Sequence, residues 1–62
     1  MRVKFEGEVR EFPRRMRVKD ILDQLHLNRE EVMVIKEEEL ITEDEWVEED
    51  EEIEIWRVVS GG

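Results

Sequence analysis

The chain has 62 residues, 47% of them charged, a net charge of −9 and no cysteine: room for one small domain that buries roughly 60% of its unfolded surface, with no space for a cofactor domain beside a substrate domain. A disulfide framework, a thiolate nucleophile and a zinc–thiolate centre are all excluded, and no segment approaches the ~20 apolar residues of a membrane span or carries the apolar core of a signal peptide, so the expected compartment is the cytoplasm. Residues 1–19 hold seven Lys/Arg against three Glu, whereas residues 20–62 hold three against sixteen Asp/Glu, a balance that repels phosphate backbones over most of the surface and favours a basic partner.

The first element is "RVKFEGEVREF", residues 2–12. Val3 and Phe5 alternate with Arg2, Lys4 and Glu6, the period of a half-buried strand. Gly7 supplies the permissive backbone of a hairpin turn. Val9 and Phe12 are oddly spaced, so a bulge or a strand end lies between them, and Pro13 stops the ladder for want of an N–H.

In "RVKDILDQLHL" the period changes. Val18, Ile21, Leu22 and Leu25 fall on one face of a helix, with Asp20 partly offsetting Arg17 and Lys19 at its positive end. Leu27-Asn28 reads as the helix stop. Val32, Val34 and Ile35 form a central strand, and Leu40-Ile41 a further short one. "TEDEWVEEDEE" reads as an ordered loop pinned by Trp46. In the closing "EIEIWRVV", Ile53 and Ile55 point one way and Glu54 and Trp56 the other. The order strand, strand, helix, strand, short strand, strand is an α+β arrangement with one helix on one face of the sheet. Its core is Val18, Ile21, Leu22 and Leu25 on Val3, Phe5, Val34, Ile53 and Ile55.

The element order, the "VKDILDQL" helix and the ending "IEIWRVVSGG" resemble the ThiS/MoaD-type sulfur carriers of the ubiquitin-like β-grasp fold. The resemblance covers essentially the whole chain, with residues 1–59 as the β-grasp domain and 60–62 as a flexible diglycine tail. It implies a mixed sheet of four to five strands with one main helix, and a protein that is not itself an enzyme. Three positions depart from the family: Arg17-Val18 stands where a Thr-Val pair often starts the helix, Glu37-Glu38-Glu39 where an Asn-Gly turn is common, and Asp50-Glu51 where Gly-Asp is usual.

The family's working atom is the terminal carboxylate, here Gly62 after Gly61. An adenylyltransferase of the ubiquitin-activating type attaches AMP to it, using ATP and Mg²⁺ that belong to that partner; the carrier holds no cofactor or metal. Sulfur then gives a thiocarboxylate for a sulfur-accepting synthase or thiolase, serving thiamin thiazole, molybdopterin or tRNA thiolation. An amine gives an isopeptide instead. Two glycines suit this use because they pass a narrow channel and adopt backbone angles closed to other residues. A scaffold subunit with an inert, frayed end is the competing reading.

Trp56, Arg57, Val58, Val59 and Ser60 lie beside the diglycine and are the candidate partner-binding residues. Alternation puts Ile55, Arg57 and Val59 on one face and Trp56 and Val58 on the other, leaving Trp56 either a docking surface or a cover for the sheet edge or core end. His26 reads as a helix-end histidine, not a catalytic base. The acidic stretch 43–52 lacks a calcium-loop pattern and no metal site is expected; its expected use is to meet a basic partner or the chain's own Arg14, Arg15 and Arg17. "RRMRVK" lacks interleaved aromatics, so nucleic acid is not an expected partner. The free protein is expected to be a monomer.

Overall fold

The structure, a computed structural model, describes residues 1–58. Val59, Ser60, Gly61 and Gly62, and with them the expected tail, lie outside the described residues. Strand β1 (Arg2–Phe5) pairs antiparallel with β2 (Glu8–Glu11), Phe5 opposite Glu8. The two residues between have φ of 50° at Glu6 and 81° at Gly7, the type I′ geometry whose twist matches the strands. The odd spacing of Val9 and Phe12 is a strand end: β2 stops at Glu11. Phe12 still donates its N–H to the Met1 carbonyl at 3.0 Å, and the Met1 ammonium donates to the Phe12 carbonyl at 2.7 Å.

Met16–Arg17 form a two-residue strand, β3, that runs directly into helix α1 (Val18–Gln24). Arg17 makes no side-chain cap, yet the first N–H groups of the helix are satisfied. Val18 donates to the Glu45 carbonyl at 3.0 Å and Lys19 to the Glu43 carbonyl at 2.9 Å. A backbone segment from elsewhere in the fold therefore replaces the hydroxyl that Arg17 lacks. The helix ends earlier than Leu27-Asn28. His26 takes the left-handed position at φ 58°, its N–H bonds the Asp23 carbonyl at 3.1 Å, and the Leu27 N–H bonds that of Leu22 at 2.8 Å. This is a Schellman closure, with Leu27 packed on the core behind it. Asn28 instead caps a following 3₁₀ turn, Arg29–Glu31, by accepting the Glu30 N–H at 2.9 Å.

Strand β4 (Val32–Lys36) turns into β5 (Glu39–Ile41), with Lys36 opposite Glu39. The turn residues Glu37 and Glu38 have φ of 51° and 68°, the same primed geometry without an Asn or Gly to relieve it. Left-handed backbone costs a side chain about 1 kcal/mol per residue. Replacing the pair by Asn-Gly should thus raise the melting temperature by about 4–8 °C for each kcal/mol recovered, read by circular dichroism.

The acidic stretch is not wholly loop. Trp46–Val47 form strand β6, antiparallel to β3 in a separate two-stranded sheet, Met16 opposite Val47 and Arg17 opposite Trp46. Val47 is 0% exposed and Trp46 38%, so the segment is pinned to the core by Val47, not by Trp46. A two-residue strand has no period to read, and the larger side chain is the exposed one. The turn before the last strand closes through Glu51, whose carboxylate accepts the Glu48 N–H at 2.7 Å, in place of the family's Gly-Asp.

Strand β7 (Glu52–Arg57) lies at the centre of a five-stranded mixed sheet, order β2-β1-β7-β4-β5, parallel to β1 and antiparallel to β4. With α1 on one face, this is the expected α+β β-grasp. Val3, Val18, Ile21, Leu22, Val34, Ile53 and Ile55 are buried as expected. Met1, Val32 and Val47 join them, whereas Phe5 and Leu25 are partly buried at the margin.

Candidate functional site

Alternation along β7 divides its side chains. Ile53 and Ile55 lie under α1, while Glu54 and Trp56 stand on the face without a helix, Trp56 52% exposed. β7 is a central strand, so Trp56 covers neither a sheet edge nor the end of the core. Register sets its surroundings. Met33 is opposite Trp56; Ile35 is opposite both Glu54 and Leu40; and Lys4 is opposite both Glu54 and Val9. Met33, Leu40, Val9 and Val58 are exposed as well, Leu40 by 67%. Side chains opposite one another share a face at ~5 Å, so Trp56 and Met33 form an open apolar surface with Ile35 and Leu40 one row away. Met33 and Leu40 escape a sequence reading because the period of β4 shows that Met33 opposes Val32 and Val34 but not which strand lies beside it.

Arg57 is on the opposite face, the last residue of β7, opposite Val32. It donates to Glu6 Oε1 at 2.7 Å, and its guanidinium stands 5.4 Å from the centre of the Phe5 ring. The hydrogen bond to Glu6, then the Glu6 charge, raise the already high pKa of Arg57 against a desolvation penalty, with the charge of Glu31 adding; it is a cation throughout the working range. The Val58 N–H bonds the Glu31 carbonyl at 2.7 Å. Val59, Ser60, Gly61 and Gly62 follow outside the described residues.

The other sequence candidates have structural occupations. His26 contributes through its backbone to the helix closure. Much of the acidic stretch is used within the chain. Arg15 grips Glu48 with two bonds, at 3.1 and 3.2 Å; Arg29 pairs with Glu43; and Lys36 pairs with Glu51 at 3.5 Å. Arg15 and Arg17 also lie 4.1 and 4.9 Å from the centre of the Trp46 ring. The fold thus supplies an aromatic to the basic cluster, but spends it on holding β6 to β3 beside carboxylates, a poor seat for a polyanion. Among the described residues no group of three or more His, Cys, Asp or Glu is arranged to hold a metal ion, and no helix is long and apolar enough to cross a membrane.

A small mixed sheet grasping one helix, with a central last strand leading out beside an open apolar face, defines a ubiquitin-like β-grasp protein. The chain belongs to the small archaeal modifier protein 2 family, whose model matches residues 1–59. No curated protein matches the chain. The family match bears out the ubiquitin-like kind that the resemblance implies, and its family is that of the small modifiers, where the resemblance points to ThiS/MoaD-type carriers.

Proposed function

We propose that this protein is a sulfur carrier whose Gly62 carboxylate is activated by a partner and which contributes no catalytic group of its own. The observation that supports this most is family membership over 1–59, joined to the position of β7. The central strand holds the chain through Val58, and only Val59 and Ser60 separate that anchor from Gly61-Gly62. In the partner, an adenylyltransferase of the ubiquitin-activating type with its own ATP and Mg²⁺, a Gly62 carboxylate oxygen attacks the α-phosphorus and pyrophosphate leaves. Hydrosulfide from the donor then attacks the carbonyl carbon, AMP departs with the acyl–phosphate oxygen, and loss of the S–H proton leaves a thiocarboxylate for a sulfur-accepting synthase or thiolase. Gly61 and Gly62 leave the approach unhindered, and tethering supplies the effective concentration.

The partner docks on the open face around Trp56, Met33, Val58 and Leu40, with Arg57, Val59 and Ser60 along the path to its active site. A half-exposed Trp beside Met is the composition of an interface anchor. Trp56→Ala should raise the apparent KM for this protein in the partner's ATP–pyrophosphate exchange about thirtyfold, the effect of removing a ~2 kcal/mol anchor. Its melting temperature should stay within a few degrees of the parent. Unchanged kinetics would remove Trp56 from the docking surface.

The family's description as modifiers favours a second use of the same adenylate, attack by a lysine amine to give an isopeptide. The two uses separate when the activated protein is offered a sulfur donor and candidate target proteins side by side. A carrier gains sulfur in place of oxygen, whereas a modifier appears covalently joined to a target.

A further inference from the structure

We infer that Glu6 is a positioning residue for the end of β7, acting through Arg57; this rests on the carrier reading above, in which the side chains at that end meet the partner. β7 is paired on both sides only as far as Ile55. Its β1 partners end with Phe5 opposite Ile55, whereas on the β4 side pairing continues through Met33 opposite Trp56 and Val32 opposite Arg57. The last two residues of the strand therefore have register partners on one side alone. On the other side stands the ion pair of Arg57 with Glu6, from the β1–β2 turn, at 2.7 Å, with the guanidinium over the Phe5 ring. The pair takes the place of the missing ladder, and the bond from the Val58 N–H to Glu31 holds the opposite flank.

The choice of partner carries information. Arg57 is the one Lys or Arg after Lys36, in a segment with twelve Asp/Glu, yet the carboxylate it meets lies 51 residues back. That carboxylate sits at φ 50°, a position where Asn or Gly is favoured over Glu. Glu37 and Glu38 take the same backbone conformation, so it is the side-chain bond onto the end of the outgoing strand that points to a task beyond closing the turn. Holding the end of β7 in one direction raises the fraction of molecules whose docking residues are set as a partner requires, and apparent affinity scales with that fraction.

Glu6→Asn separates this role from folding, because Asn suits the left-handed turn while its short neutral side chain releases Arg57. The expected result is an unchanged or higher melting temperature, faster hydrogen exchange at the Val58 amide, and a KM in ATP–pyrophosphate exchange raised about threefold at constant kcat, the scale of an exposed ion pair. A Glu6→Asn protein with parental KM and parental Val58 exchange overturns the inference. If the parent protein itself gives no exchange with an active enzyme, the carrier reading fails, and the Val58 amide decides whether the latch exists.

Discussion

A protein lacking Gly61 and Gly62 should melt with the parent and give no detectable ATP–pyrophosphate exchange with the activating enzyme. The two halves of this expectation have separate causes. Among the described residues the buried core runs from Met1 to Ile55, and Gly61 and Gly62 carry no side chains, so truncation removes no apolar side chain. The new terminus would be Ser60, whose carboxylate is two residues short and carries a side chain next to the reacting carbon. A displacement of that size takes the nucleophilic oxygen out of reach of the nucleotide, where even ~1 Å costs about a hundredfold. A scaffold with an inert end would be indifferent to the deletion in every assay. Loss of exchange with an intact melt supports the carrier; loss of both would mean that the tail also serves the fold.

Ile21→Ala should be the most damaging single truncation of the core. Ile21 is 0% exposed, in the middle of the only face that α1 turns to the sheet. Removing its buried methyl and methylene groups costs about 2–5 kcal/mol, through lost transfer and the cavity left behind. A chain of 62 residues has about 3–9 kcal/mol in total. The variant should therefore show a urea midpoint reduced by half or more, or no folded baseline at 25 °C. Trp56→Ala removes a larger side chain from the open face and should shift the midpoint little. A mild Ile21→Ala phenotype would mean that α1 is not the principal cover of the sheet.

Legibility in the sequence followed the length of the periodic runs. Val3 and Phe5, the Val18–Leu25 stripe, and Ile53 with Ile55 declare strand, helix and strand because each repeats its period at least once. Trp46–Val47 does not, being too short to repeat, and its partner β3 lies some thirty residues earlier in the chain. The caps of α1 were hidden for a related reason. The carbonyls of Glu43 and Glu45 that accept its first N–H groups come from a distant segment, and the left-handed residue at its end is His26, where Asn28 carried the more familiar signal. Charge pairing was visible only in outline: the expected meeting of acidic stretch and basic cluster occurs at Arg15 and Glu48, but Arg29 and Lys36 also take acids from that stretch.

The open face shows the same limit. Alternation along β7 puts Trp56 opposite Ile53 and Ile55, but only the strand order reveals that the far side has no covering helix and that Met33 stands next to it. Glu6 lies further from view, since nothing local in "FEGE" names Arg57 as its partner. Pairs of that kind are set by topology, and topology is the part of the fold that a single sequence encodes least directly.

The most direct test of the carrier role is the intact mass of the protein, with nothing appended after Gly62, before and after incubation with an active adenylyltransferase, ATP, Mg²⁺ and a sulfur donor. The account predicts a gain equal to the exchange of one oxygen for one sulfur, dependent on ATP and absent from the protein lacking Gly61 and Gly62. An unchanged mass, with the same enzyme demonstrably thiocarboxylating another carrier, would contradict it and leave a β-grasp scaffold with an inert end.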